Sequence, residues 1–314
     1  MILSITLNPT FDYIYFIDHF KIGGHNRFKN PLILPGGKGI NMARAVGSFS
    51  DNMIALATLA GYKGKLIEES LKKENFNFLN FEIEGESRNA ITIMHDDGKQ
   101  TEIVEEGPIF KNQYTLDFLD YVQKIVKENT IKIISINGSV NAENNNFYLE
   151  LLTFLRQNFH DQIKIIMDIS GEQLKTIFQQ NNFFPDIIKP NLDEFNDLFN
   201  TNAKSKKDIL KILPMIHSNI ETLLISCGSE GAIVKHGNKF YDVRIPTVKI
   251  LNPTGSGDST IAGIAYALSN KMNFEDVIKY GMAFGISNCL NKGVGEVIPE
   301  QVYSLIPEIQ VNSL

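Results

Sequence analysis

Short apolar runs alternate along this chain with stretches whose apolar positions recur at helical spacing. Residues 2–7 form the first run and close on Asn8-Pro9, a turn signal. Similar runs at 53–59, 132–137, 164–168, 187–188 and 222–227 read as buried strands. Helical patterns cover 39–49, 115–127, 147–158, 193–199, 206–217, a long stretch after Gly255, and 276–290. Strands separated by helices predict an α/β fold, with a mainly parallel central sheet covered by helices on both faces.

Other stretches do not fit that rhythm. Residues 11–16 and 27–34 alternate around Gly23-Gly24, and 89–95 and 101–104 flank Asp96-Asp97-Gly98, a hairpin signal. The segments near 8–34 and 88–107 are expected to form a small antiparallel sheet that projects from a single domain spanning 1–314. Inserts at the strand ends would lie over the crevice where open α/β sheets bind ligands, as a lid. Residues 232–235 and 239–243 predict another hairpin, around Gly237-Asn238.

Hydrophobic residues at 43% and charged residues at 21% over 314 positions describe a globular chain with material for a large core. The formal charge of −6 argues against nucleic acid as a partner. No apolar run is long enough to span a membrane, and the opening residues lack a signal-peptide pattern, so a cytoplasmic location is expected. Cys227 and Cys289 lack metal spacing and read as reduced thiols. The histidines (19, 25, 95, 160, 217 and 236) are scattered, and neither a Walker A loop nor G-x-G-x-x-G is present.

Two glycine-rich stretches carry the candidate chemistry. In Asn252-Pro253-Thr254-Gly255-Ser256-Gly257-Asp258, a turn runs into a helix whose free N–H groups favour an anion. Asp258 there suits proton abstraction, or, more plainly, capping. In Pro35-Gly36-Gly37-Lys38-Gly39-Ile40-Asn41, glycines allow close backbone approach and Lys38 adds a point charge, which suits an anionic substrate. Asp12, after the first strand, suits sugar hydroxyls or an Asx turn. Asn191 and Glu194 stand three apart at a helix start; spacing alone favours a capping pair over a Mg²⁺ site. Ser226-Cys227-Gly228-Ser229-Glu230-Gly231 follows a strand and could lie along a nucleotide's phosphates.

Gly36-Gly37-Lys38-Gly39-Ile40-Asn41 and Asn252-Pro253-Thr254-Gly255-Ser256-Gly257-Asp258-Ser259 resemble the two signatures of the PfkB (ribokinase-like) carbohydrate kinases. Asn191-x-x-Glu194 is similar to the family's magnesium-linked motif. Leu7-Asn8-Pro9-x-x-Asp12, Arg88-Asn89 and Gln100-Thr101-Glu102 point to its hexose-phosphate branch. The resemblance implies a ribokinase-like core with a β-sheet lid, ATP and Mg²⁺, and a phosphorylated ketohexose as acceptor; separately, an apolar lid strand could pair with that of a second subunit, so a homodimer through the lid is expected. It also implies roles. Asp258 would be the general base, and Gly255, Ser256 and Gly257 the anion hole. Asp12, Arg27, Gly37, Lys38, Asn41 and Arg88 would bind the sugar phosphate. Lys189, Ser226, Gly228, Gly231 and Asn288 would contact the nucleotide, and Asn191 and Glu194 the metal through water. One departure is Asn137-Gly138-Ser139-Val140-Asn141, where relatives tend to read Ser-Gly-Ser-Leu-Pro.

Overall fold

A computed structural model describes residues 1–96, 99–180, 182–216 and 219–314. The chain opens with β1 (Ile2–Thr6), β2 (Thr10–Phe16) and β3 (Leu32–Gly36), then α1 (Lys38–Gly47) and β4 (Met53–Leu59). Next come α2 (Gly61–Leu71), β5 (Asn77–Glu82), β6 (Arg88–His95), β7 (Lys99–Val104), α3 (Thr115–Glu128) and β8 (Ile133–Asn137). They are followed by α4 (Phe147–Phe159), β9 (Lys164–Asp168), α5 (Glu172–Gln180), β10 (Ile187–Ile188), α6 (Leu192–Phe199), α7 (Lys206–Ile212) and β11 (Thr222–Ser226). The remainder holds β12 (Ala232–His236), β13 (Lys239–Arg244), α8 (Ser256–Ser269), α9 (Phe274–Cys289), α10 (Pro299–Leu305) and β14 (Gln310–Ser313).

Among the described residues these strands build two sheets. The larger runs β14-β13-β12-β11-β10-β9-β8-β1-β4-β5. It is parallel from β11 to β5 and antiparallel from β11 out to β14. Strand alternation splits the core into two layers. Leu3 and Ile5 of β1 join Ile134, Ile136, Ile165 and Met167 under α3 to α7. Ile2, Met53, Ile133 and Ile166 point the other way, under α1, α8 and α9. The smaller sheet runs β3-β2-β6-β7. Its outer pairs are antiparallel, as expected, and they join through a parallel β2–β6 pair.

The chain leaves β1 for β4 on one side, while β8 pairs on the other. Crevices open at such a reversal, beyond the carboxyl ends of the strands. Thr6, Asn137, Asp168 and Ser226 terminate strands at that edge. Helices α8 and α9 pack through small residues. A Cβ on Gly263 would strike the Tyr280 carbonyl, and one on Gly285 would strike Thr260 Oγ1. The two backbones therefore approach closely and fix the start of α8.

Two expectations are corrected. The strand expected over 27–34 begins only at Leu32, because Asn30 takes φ 52° and Pro31 has no N–H to pair. The helix expected over 206–217 stops at Ile212 and tightens into a 3₁₀ turn at Leu213–Met215, where Pro214 removes a donor; His217 lies outside the described residues. In the hairpin signal, Asp97 and Gly98 also lie outside them, while the flanking β6 and β7 pair as expected.

Candidate active site

Helices α1 and α8 both begin at a glycine with positive φ: Gly37 at 109° and Gly255 at 79°. Neither start has a side-chain cap; in α8 the Ser256 N–H donates to the Pro253 carbonyl at 3.2 Å, while the Gly255 and Gly257 N–H groups are left without a partner among the described residues. Glycine is needed at 37 and 255, because other residues resist that backbone conformation. The turn before α8 is held by amides. Asn252 accepts from Thr254 N at 3.0 Å and donates to the Lys292 carbonyl at 2.9 Å. Asn288 donates to the Thr254 carbonyl at 2.8 Å and accepts from Gly295 N at 2.7 Å.

Asp258 sits in the first turn of α8, buried to 8% exposure. Asn41 of α1 donates to its Oδ2 at 2.8 Å. Among the described residues no hydrogen bond engages Oδ1. Burial pushes the carboxyl up to about 6; Lys38, the Asn41 amide and Lys189 oppose that rise, and the Asp168 charge adds to it. Lys38 Nζ lies 3.5 Å from Asp168 Oδ2 and 4.0 Å from Glu194 Oε1. Lys189 Nζ lies 3.6 Å from Asp168 Oδ1, and 3.1 Å from the place where a Cβ on Gly257 would sit. Burial alone would raise Asp168, yet Lys189 and Lys38 together hold it below its ordinary value. Asp168 in turn raises Lys38, most of all the groups around it. Two lysines and two aspartates therefore share one patch at the strand ends, with the Asp258 carboxyl pushed up to about 6.

The smaller sheet closes one side of this patch. Asp12 of β2 lies against Gly36 and accepts from Thr10 Oγ1; burial raises its pKa. Arg88, opening β6, donates to the Asn8 carbonyl through Nε at 3.2 Å and Nη2 at 2.9 Å, and to the Glu105 carbonyl at 3.2 Å. Arg27 is exposed between β2 and β3 and is not gathered into the cluster.

On the other side of α8, a cavity of about 230 Å³ is lined by Ser226, Gly228, Gly231, Ser256 and Gly257. Its remaining walls were not legible beforehand. Ile245, Pro246, Thr247, Val248 and Ile250 form one of them. Met282, Gly285, Ile286 and Cys289 form another, at spacings that place them on one face of α9. That helical stripe was the available signal, and it read equally well as core. Its apolar character suits a flat ring system.

Two candidates behave differently from expectation. Asn288 is fully buried, with its amide already used to brace the loop before α8, and it does not line the cavity. Asn191 and Glu194 form a reciprocal capping box on α6, each bond at 2.8 Å. Among the described residues no group of three or more His, Cys, Asp or Glu could cage a metal. Such a donor set fits a hard cation that keeps most of its waters and is held chiefly by phosphate oxygens.

A glycine-opened helix carrying a buried carboxylate, a lysine on the facing helix, and an adjoining apolar cavity thus meet in one crevice of a sheet covered on both faces, an arrangement of the kind phosphoryl-transfer enzymes use. The model of the pfkB family of carbohydrate kinases matches residues 6–301, and the chain belongs to that family. It is accordingly an ATP-dependent carbohydrate kinase. It is 36% identical over 314 residues to a tagatose-6-phosphate kinase of Staphylococcus epidermidis, covering 99% of both chains. Its fold resembles phosphofructokinase-2 of Escherichia coli, with a TM-score of 0.85 at 23% identity over 98% of both chains. A Thermotoga maritima structure described as a possible 1-phosphofructokinase gives a TM-score of 0.86 at 23% identity, over 100% of this chain and 99% of that one. No helix among the described residues is long and apolar enough to cross a membrane.

Proposed function

We propose that this enzyme transfers the γ-phosphoryl group of ATP to a ketohexose phosphate, with D-tagatose 6-phosphate as the preferred acceptor and tagatose 1,6-bisphosphate as product. The observation that carries the reading is Asp258. It is a buried carboxylate with one oxygen held by Asn41, at the open end of α8, with its pKa near 6. Asp258 takes the proton from the sugar's primary hydroxyl as that oxygen attacks phosphorus. The backbone N–H groups of Gly255 and Gly257, with Lys189 beneath Gly257, face the charge that spreads over the transferred oxygens, and Ser256 shapes the turn between them by donating to the Pro253 carbonyl. Lys38 and Arg88 supply positive charge for the phosphate already on the sugar, and Asp12 accepts from its hydroxyls.

Ser226, Gly228 and Gly231 line the nucleotide's side of the cleft. Mg²⁺, bound to the donor phosphates and reached through water by Glu194 and Asn191, would neutralise phosphate charge. The smaller sheet acts as a lid within a single domain. Its outer row Ile33, Tyr13, Ile91 and Ile103 is in register across all its strands, with Ile33 and Ile103 about half exposed. A second copy pairing there would give a dimer, readable by sedimentation equilibrium.

Tagatose 6-phosphate is favoured because the relative at 36% identity bears that name. Sugar-dependent ADP release should be measured side by side with tagatose 6-phosphate, fructose 1-phosphate and free fructose. Faster turnover of fructose 1-phosphate would reassign the acceptor, and no ADP release with any sugar phosphate would leave a binding protein without catalysis. Arg88→Ala should raise KM for the sugar phosphate about 10–100-fold, the cost of a charge-assisted hydrogen bond, with KM for ATP unchanged.

A further inference from the structure

Arg44 reads in sequence as an ordinary basic residue inside a helix, yet its side chain is only 14% exposed and its guanidinium makes four hydrogen bonds and an ion pair. Nε and Nη2 each reach Glu74 Oε1 at 2.9 Å. Nη2 also donates to the Pro35 carbonyl at 2.7 Å, at the end of β3. Nη1 donates to the Val294 carbonyl at 2.8 Å and to Asn41 Oδ1 at 3.2 Å. The same Asn41 carboxamide donates through Nδ2 to Asp258 Oδ2 at 2.8 Å. The amide is therefore wedged between a guanidinium and a carboxylate. Turned over, it would set its oxygen against Asp258 and its NH₂ against Arg44, two repulsive contacts in a buried place.

We propose that Arg44 is a positioning residue for phosphoryl transfer: it fixes the Asn41 carboxamide so that Asp258 is held by one oxygen and presents the other to the acceptor hydroxyl. A lysine cannot replace it. The planar fork meets Glu74, Pro35, Val294 and Asn41 at once, whereas an ammonium has three donors on a flexible stem. The fork is anchored to the end of β3, so the sheet that carries Asp12 and the helix that carries Asn41 are registered by one group. This inference rests on the assignment of Asp258 as base, which Asp258→Asn tests by itself.

The experiment is a double-mutant cycle in the full-length enzyme with MgATP and the best sugar phosphate from the panel, using Arg44→Lys, Asn41→Ala and the pair. Each single change should lower kcat about 10–100-fold, the scale of a small misplacement of a reacting group, with KM for MgATP changed less than about twofold. Because both act through one carboxamide, the pair should lose no more than the worse single variant. Losses that multiply, or an Arg44→Lys enzyme of lower melting temperature but unchanged kcat, would overturn the proposal. If Arg44→Lys does not fold, Glu74→Gln loosens the guanidinium while leaving Asn41 in place. It should lower kcat about two- to fivefold and have no effect once Asn41 is alanine; unchanged kcat in that variant alone would equally overturn it. Loss of turnover in Asp258→Asn together with a multiplicative Arg44–Asn41 cycle would sink this inference and leave the base assignment standing.

Discussion

Helices α6 and α8 each carry an acid at the third residue, and the two acids do opposite things. In α6, Glu194 folds back to accept from Asn191 N, while Asn191 accepts from Glu194 N, and the helix end is closed. In α8 the capping position is Gly255, which has no side chain to offer, and Asp258 makes no cap. It is drawn aside by Asn41, 217 positions away along the chain. Closing a helix end uses up its carboxylate and its N–H groups. Leaving the end open keeps both for a ligand, at the cost of burying a charge.

The comparison breaks most sharply at Asp258. Asp258→Asn should keep nucleotide and sugar binding while lowering kcat by about 10²–10⁴, the range for a positioned base. Near-normal ADP release would return Asp258 to a structural role. Next in size is the pH profile. A base with a pKa near 6 must be ionised, so kcat/KM should fall about tenfold per pH unit below about pH 6 and level off above it. An acid limb below pH 5 would mean that burial does not tune the group.

Stability should move the other way. Between the ordinary aspartate value and about 6, the folded chain holds a proton that the unfolded chain has released. This group therefore favours folding at low pH and opposes it as pH rises through that window. Denaturant titration at pH 7.5 should show Asp258→Asn to be more stable, by on the order of 1–3 kcal/mol. The smallest effect belongs to α6. Asn191→Ala should cost about 1 kcal/mol of stability, as lost caps do, with kcat changed far less than by Asp258→Asn. A larger kcat loss there than at Asp258 would invert the contrast between the two ends.

Much of the fold was legible because buried parallel strands and amphipathic helices write their periods plainly. What escaped has physical causes. Helix α2 opens with Gly61 and has Gly64 on its buried face, so its apolar stripe is faint. Strand β5 is an edge with half-buried positions, and β14 is four mostly exposed residues whose identity depends on pairing with β13. Helix α5 follows β9 through a short loop and is only nine residues long, so its period is brief. At the site, local motifs singled out Lys38, Gly255 and Asp258, which the fold gathers near the strand ends. Spacing could not distinguish the acid of α6 from that of α8, because the deciding partner, Asn41, comes from another helix. Arg44 and the α9 wall escaped for the same reason: each is defined by what folds against it.

The glycine seam between α8 and α9 has a consequence for redesign. Gly285 touches the helix of Asp258 on one side and borders the apolar cavity on the other. A bulkier side chain introduced there to reshape the cavity would shift Asp258 along with the cavity wall. Under the proposed function, donor choice and chemical rate would be mechanically linked, and variants selected for a new donor should carry compensating changes along that seam.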